Sequence, residues 1–203
     1  MSILCQVANS VSTKARPARG GDKRQRLVDA AKQVLYEQGV EKSTLADIAT
    51  AAGVPLGNVY YYFKTKDALV SAVIDSYERS YERFTAAFNE VPEPAGRLKA
   101  LVGFLTSRAD QLASFGCPIG TLSSELDKRD DVLRTEVATV LARLVEYAEV
   151  QFRALGRHDA RSLAVALVAA YEGITVLASA LRDPGLITAE GERLARWIDS
   201  LAG

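Results

Sequence analysis

The residues best suited to chemistry lie together in the uncharged run PLGNVYYYF at 55–63, where Asn58, Tyr60, Tyr61 and Tyr62 gather one amide and three phenols. An Asn side chain can bond the adenine edge bidentately, and Tyr hydroxyls can bond phosphates while their rings pack on sugars or thymine methyls. A solvated helix would carry Glu and Lys on such a face. An aromatic and amide face fits the major groove of a DNA duplex. The alternative is a short two-helix corner inside an ordinary bundle, with the tyrosines as half-buried core.

Two short helices must position these groups. Leu45, Ile48, Ala49 and Ala52 fall at i, i+3, i+4 and i+7 on one apolar face, and Thr44 with Asp47 three residues later predicts an N-cap. Gly53 follows the last periodic residue, where a left-handed backbone ends a helix at little steric cost, and Pro55 suits the first turn of the next. On that second helix Leu56, Val59 and Phe63 are expected to face inward. Asn58, Tyr61 and Tyr62 are expected outward, with Tyr60 at the flank. The stretch from Ser43 to Lys66 reads as a helix-turn-helix.

The order T-L-x-x-I-A-x-x-A-G-V-x-x-G-x-V-Y-x-Y-F-x-x-K from Thr44 to Lys66 closely resembles the DNA-binding segment of the tetracycline-repressor (TetR) family of bacterial transcription regulators. The resemblance extends back through KRQRLVDAAKQVLYEQGV at 23–40. Where that family usually opens the recognition helix with a phosphate-touching Ser or Thr, this chain has Pro55, which offers neither hydroxyl nor N–H. The other expected DNA contacts are present. Arg24, Arg26, Thr44, Tyr60 and Lys66 are assigned to phosphates, and Asn58, Tyr61 and Tyr62 to the groove-facing side. The later segments G-C-P-I-G-x-L-x-x-E at 116–125 and Y-E-G at 171–173 are similar to a subset of the same family. That resemblance implies an effector pocket enclosed by the middle helices, whose occupancy respaces two DNA-binding heads and releases the operator.

Among 203 residues, 48% hydrophobic and 25% charged are ordinary proportions for a soluble globular protein. The formal net charge is zero, but ten Lys/Arg face five Asp/Glu through Lys66, and fifteen face twenty beyond it. A basic head attracts phosphates and an acidic body does not, so the uneven distribution orients the molecule on a duplex. Cys5 and Cys117 are far apart, with no CxxC and no Cys/His cluster, so neither a zinc site nor a disulfide framework is expected and a reducing cytoplasm suits the chain. No metal or other cofactor is expected. The N-terminal stretch MSILCQVANSVSTKARPARGG lacks a sustained apolar region and makes a poor signal peptide; a flexible basic arm over 1–21 is expected.

The expected fold is all-α, with about nine helices in total. A three-helix helix-turn-helix head occupies 22–66, its first helix running from 22 or 23 to 38 with Leu27, Ala31, Val34 and Leu35 inward and Gly39 as its stop. A helical ligand-binding and dimerisation bundle follows over 67–203. Its helices are predicted from Thr65 to about Phe88, Ala95 to Ser114, Thr121 to Lys128, Asp131 to Leu155, Ser162 to Leu181 and Ala189 to Leu201, with a non-helical kink at Gly116 and Pro118.

SLAVALVAAYEGITVLASAL at 162–181 is apolar on nearly every face and long enough to span a bilayer, but Glu172 stands at its centre and no basic cluster sets an orientation. No membrane association is expected. Such a helix is otherwise buried by its own core on one side and a partner on the other. With Leu194, Trp197, Ile198 and Leu201 on the last helix, it is expected to form half of a four-helix homodimer interface.

Phe104, Arg108, Cys117, Thr121, Tyr147, Tyr171, Glu172 and Thr175 are polar or aromatic groups among apolar helices, a composition suited to a small, mostly apolar effector with a few directing contacts. Catalysis is not expected. His158 is the only histidine and lies in a turn, and no nucleophile elbow, P-loop, dinucleotide fingerprint or H-E-x-x-H is present. The reading is a sequence-specific DNA-binding regulator, most simply a repressor released from a palindromic double-stranded operator by an effector. A non-specific architectural DNA-binding protein and an effector-independent regulator are the alternatives.

Overall fold

The computed structural model describes residues 21–128 and 132–202. The expected basic arm lies outside the described residues. Within them the chain forms helices α1 (Gly21–Gln38), α2 (Leu45–Ala52), α3 (Leu56–Tyr62), α4 (Lys66–Asn89), α5 (Pro94–Thr106), α6 (Ala109–Phe115), α7 (Pro118–Leu126), α8 (Val132–Ala154), α9 (Ala160–Leu181) and α10 (Gly185–Leu201), with no strand. The all-α expectation holds.

Three element boundaries differ from expectation. The helix expected over Ala95–Ser114 is broken between α5 and α6, where Arg108 leaves helical geometry at φ −121°, ψ 52°. Just before the break, Thr106 Oγ1 donates to the Val102 carbonyl at 2.9 Å and Ser107 Oγ donates to the Phe104 carbonyl at 2.8 Å. Bonds of this kind bend a helix rather than end it, since Thr85 in α4 and Thr139 in α8 make the same bond within unbroken helices. The kink expected at Pro118 shrinks to Gly116, whose φ of 77° only glycine adopts easily, and Pro118 opens α7 instead. The last helix starts at Gly185 rather than Ala189, because Asp183 Oδ1 accepts the Gly185 N–H at 2.8 Å and satisfies a donor that a helix start leaves open.

The chain divides into two compact units. One takes residues 21–80 with 121–128 and 132–140, and contains the head. There α1 packs on α2 and α2 on α3. Leu27, Val28 and Ala31 of α1, Ile48 of α2, Val59 of α3 and Leu69 and Val70 of α4 are all fully buried.

The other unit takes residues 81–120 with 141–202. Its main core joins Phe88, Leu98, Leu101, Val102, Leu144, Ala148, Phe152, Ala164, Leu167, Leu194 and Ile198. Helix α10 packs on α5 and α6, and α9 packs on α6 and α10. The apolar stripe of α10, expected at a dimer interface, is therefore largely consumed within the subunit. Leu194 and Ile198 are buried in this core, and the Trp197 ring lies 5.8 Å from that of Phe152. The stripe left over belongs to α9, where Val165, Ala166, Ala169, Gly173, Val176, Leu177, Ala180 and Leu181 are exposed along one side. Among the described residues α9 is the one helix long and apolar enough to cross a membrane by length and composition.

Phe152 is completely buried against the single tryptophan. Phe152→Ala should lower the unfolding free energy by about 3–5 kcal/mol, the usual cost of emptying a buried aromatic site. Urea titration followed by Trp197 fluorescence and far-ultraviolet circular dichroism measures it. A loss below about 1 kcal/mol would remove Phe152 from the core.

Candidate nucleic-acid interface

The turn into α2 is built by a reciprocal cap. The Asp47 N–H donates to Thr44 Oγ1 at 3.1 Å, the Thr44 N–H donates to Asp47 Oδ2 at 2.9 Å, and the Thr44 hydroxyl donates to the same carboxylate at 2.7 Å. These bonds hold the exposed Asp47 carboxyl below its ordinary pKa. Gly53 ends α2 in the left-handed region at φ 63°, and the Val54 N–H returns to the Ala49 carbonyl at 3.0 Å. Pro55, at φ −58° and ψ 141°, then leads into α3 without a side-chain cap. Phe63 closes α3 in extended geometry, and Thr65 Oγ1 accepts the Ala68 N–H at 3.1 Å to start α4.

Within α3 the inward side is set by Val59 and Phe63, at 0% and 3% exposure. Leu56, expected beside them, is instead 41% exposed, next to Tyr60 at 48% and Tyr61 at 73%. The α2–α3 turn is tight enough that the buried anchor before Val59 is Val54, in the turn itself, which leaves Leu56 on the open side. Asn58 and Tyr62, expected fully outward, are half-buried at the margins, and Tyr62 meets Tyr61 edge to face at 4.9 Å.

The cationic candidates divide by role. Arg24 is exposed on α1 with its guanidinium 5.2 Å from the centre of the Phe63 ring, and Arg26 is exposed on the same helix. Lys66 Nζ donates to the Ser43 carbonyl at 2.7 Å and the Glu41 carbonyl at 3.3 Å, so it clips the start of α4 to the segment before α2. An ammonium has three N–H donors, and two are engaged here. Thr44 is exposed, but its hydroxyl donor is engaged by Asp47.

The eight effector candidates do not form one group. Cys117, Tyr171 and Glu172 come together: burial first, then the Glu172 carboxylate, push the Cys117 thiol up to about 12, while hydrogen bonds with the Gly120 N–H and the Tyr171 side chain oppose the rise. The protonated thiol donates to Glu172, whose own pKa is raised by burial and partly restored by that bond. Glu172 Oε1 is buried without a hydrogen-bond partner. Thr175 is buried, with its hydroxyl donating to the Glu172 backbone carbonyl at 2.8 Å.

Phe104 stacks among Phe84 and Phe88 instead. Tyr147 lines a separate open groove of about 750 Å³ with Tyr81, Asn89, Arg97 and Gln151, and its hydroxyl donates to Asn89 Oδ1 at 3.3 Å. Arg108 is exposed at the start of α6, and Thr121 belongs to the unit that contains the head.

Two residues of the G-C-P-I-G-x-L-x-x-E segment gain roles that their sequence positions alone did not reveal. Gly120 has no side chain because a Cβ there would overlap the Glu172 carboxylate. Glu125 Oε2 accepts the Val40 N–H at 2.5 Å, just past the end of α1, and a Cβ on Gly39 would stand 2.9 Å from the other carboxylate oxygen.

With this geometry in view, the profile of bacterial regulatory proteins of the tetR family matches residues 27–73, and that of the C-terminal domain of LmrA/YxaF-like transcriptional regulators matches 94–192. The chain belongs to the TetR family. The HTH-type transcriptional repressor DhaR of Mycobacterium sp. strain GP1 is 31% identical over 124 residues, 61% of this chain and 62% of that protein. The regulator TtgR of Pseudomonas putida is 36% identical over 81 residues, and this chain spans 39% of its length. A crystal structure of a TetR transcriptional regulator from Chloroflexus aurantiacus superposes with a TM-score of 0.78 at 26% identity, over 89% of this chain and 96% of that one. Both halves of the family fold are present, the helix-turn-helix head and the helical bundle.

Glu172 carries a testable consequence for pH. Its folded pKa lies above the ordinary glutamate value, so the folded protein binds the proton more tightly than the unfolded chain does. Stability therefore falls as pH rises from the ordinary glutamate pKa through the folded one. Glu172→Gln should be more stable than wild type at neutral pH, with the gap closing as the medium is acidified; urea titrations at stepped pH measure it. A constant gap would show that Glu172 is not buried at this cost.

Proposed function

We propose that this TetR-family protein is a dimeric repressor that holds a palindromic operator with two copies of α3 and leaves it when a small, mostly apolar effector reaches the Cys117–Tyr171–Glu172 group. The observation that carries the DNA reading is the outward face of α3: Leu56, Tyr60 and Tyr61 stand in solvent on a helix-turn-helix whose other exposed groups include Arg24 and Arg26. A solvated helix has no use for that face, and a non-specific architectural binder would carry Lys and Arg on it. The similarity to the repressor DhaR supports repression as the direction of control.

The exposed stripe of α9 supports the dimer. Its spacing at Val165, Ala169, Gly173, Val176 and Ala180 is that of one helical face, and a continuous apolar face of this length is normally covered. A second copy covers it by two-fold symmetry, bringing α9 against its mate and leaving α10, which packs beside α9, at the edge. For the effector, the unpartnered Glu172 Oε1 supports recognition of a hydrogen-bond donor at one end of an otherwise apolar molecule. Such a regulator acts in the cytoplasm, where its operators are.

Binding measured by fluorescence anisotropy on a duplex selected from a random library should weaken as salt rises, with a log–log slope of about −0.9 per phosphate neutralised. Equal affinity for scrambled duplexes would assign the architectural role instead. Val176→Asp sits in the exposed stripe and not in the subunit core, so it should leave the helical content unchanged, give a monomer in sedimentation velocity and abolish operator binding. A Val176→Asp protein that remains dimeric would remove α9 from the interface.

A further inference from the structure

We infer that this regulator reads thymine by its C5-methyl group, through Leu56, and that its operator half-site carries thymine where that side chain meets the groove. The inference rests on the DNA-binding reading above and specifies the base chemistry that the face accepts.

The sequence of α3 is LGNVYYY, which contains no cation, no carboxylate and a single amide. Of its side chains, Val59 is buried, Asn58 and Tyr62 are half-buried, and Leu56, Tyr60 and Tyr61 are exposed. Gly57 lies between them with nothing within 4 Å of where a Cβ would stand, so no side chain separates Leu56 from whatever the helix lies against. Leu56 and Tyr60 are at i and i+4 and share one row along the helix. Leu56 is the exposed side chain of α3 that has no polar atom.

The major groove offers few matches for such a surface. Guanine presents two acceptors and is read by guanidinium or ammonium groups; adenine presents an acceptor and a donor and is read by amides; cytosine presents a donor and is read by acceptors. Thymine alone presents a hydrocarbon, its methyl group, at the groove surface. No guanidinium or ammonium stands on α3 to read guanine, and its one amide is withdrawn to the margin. The two exposed tyrosines carry hydroxyls that suit phosphates, and their rings add carbon surface beside Leu56. A leucine placed there gains by removing a methyl group and its own exposed carbon from water together, and gains nothing against the polar edge of a cytosine or guanine.

The experiment starts from a duplex selected from a random library by the full-length protein. Each thymidine of the half-site is then replaced in turn by deoxyuridine, which keeps base pairing and every hydrogen-bonding group and removes only the methyl. At one or more positions the wild type should bind about fourfold more weakly, the factor that corresponds to one buried methyl group. Leu56→Ala should lose a similar factor on the thymidine duplex and nothing further when that same position is deoxyuridine. Leu56 is exposed, so its truncation leaves the fold intact, and circular dichroism verifies this.

Wild-type binding that is indifferent to every deoxyuridine, a selected half-site without thymine, or an equal loss for Leu56→Ala on both duplexes would each overturn the inference. In those cases a preference for the selected duplex over a scrambled one would still stand and keep the specific-regulator reading. Absence of any such preference would remove both.

Discussion

A helix of seven residues cannot hold its own shape in water, and α3 is such a helix. Which side chains this helix presents depends on how the surrounding chain imposes that shape and direction. Two buried side chains, Val59 and Phe63, pin its inner side. At its start Gly53 reverses the chain in the left-handed region, and at its end Phe63 leaves in extended geometry toward the Thr65 cap of α4. Lys66 then bonds back to the carbonyls of Glu41 and Ser43, tying the segment after α3 to the segment before α2. Pro55 contributes no cap of its own, so α3 relies on these neighbours rather than on the usual hydroxyl at its start. The outer face, with Leu56, Tyr60 and Tyr61 exposed, is then free of structural duty.

The same economy explains the segment from Gly116 to Glu125. Gly116 turns the chain at positive φ, Pro118 opens α7 where a missing N–H costs nothing, and Cys117 places its thiol against Glu172. Gly120 is small because the Glu172 carboxylate occupies the space of its side chain. Glu125, seven residues after Pro118 on the same helix, accepts the Val40 N–H beyond the end of α1. The Val40 N–H lies beyond the helical ladder, and a charged acceptor meets such a donor more strongly than a neutral one. Residues that look unrelated in sequence thus serve two polar contacts held by one short helix.

Periodicity and capping signals made most of the fold legible. The capping box at Thr44 and Asp47, the left-handed Gly53 and the helical character of 132–154 are all local properties, decided by neighbours within one or two turns. Where expectation failed, the deciding interaction was non-local or competed with propensity. Leu56 has the spacing of an inward residue, but Val54 in the tight turn already fills that side. The break at Arg108 leaves no mark in the apolar pattern, which runs on across it. The effector candidates rest on residue type alone. Type could not separate Tyr147, in its own groove with Arg97, from Cys117 and Glu172, because only the packing of α9 on α6 brings the latter pair together.

Helix α9 shows most plainly why composition underdetermines environment. A mean hydropathy of 1.8 over a membrane-length window says that the helix avoids water, not what it meets instead. Its two faces differ. Leu167, Val168, Tyr171 and Ala178 are buried within the subunit, with bulky side chains filling a core of irregular shape. The opposite side is lined by Ala166, Ala169, Gly173 and Ala180 between Val165, Val176 and Leu177. Small residues flanked by branched ones let another helix approach closely at the centre and interlock at the ends, which is the surface that the proposed dimer needs. A carboxylate at the middle of α9 is tolerable for the same reason: Glu172 turns from that stripe toward Cys117 and Gly120, where a thiol donor and a vacant glycine side meet it.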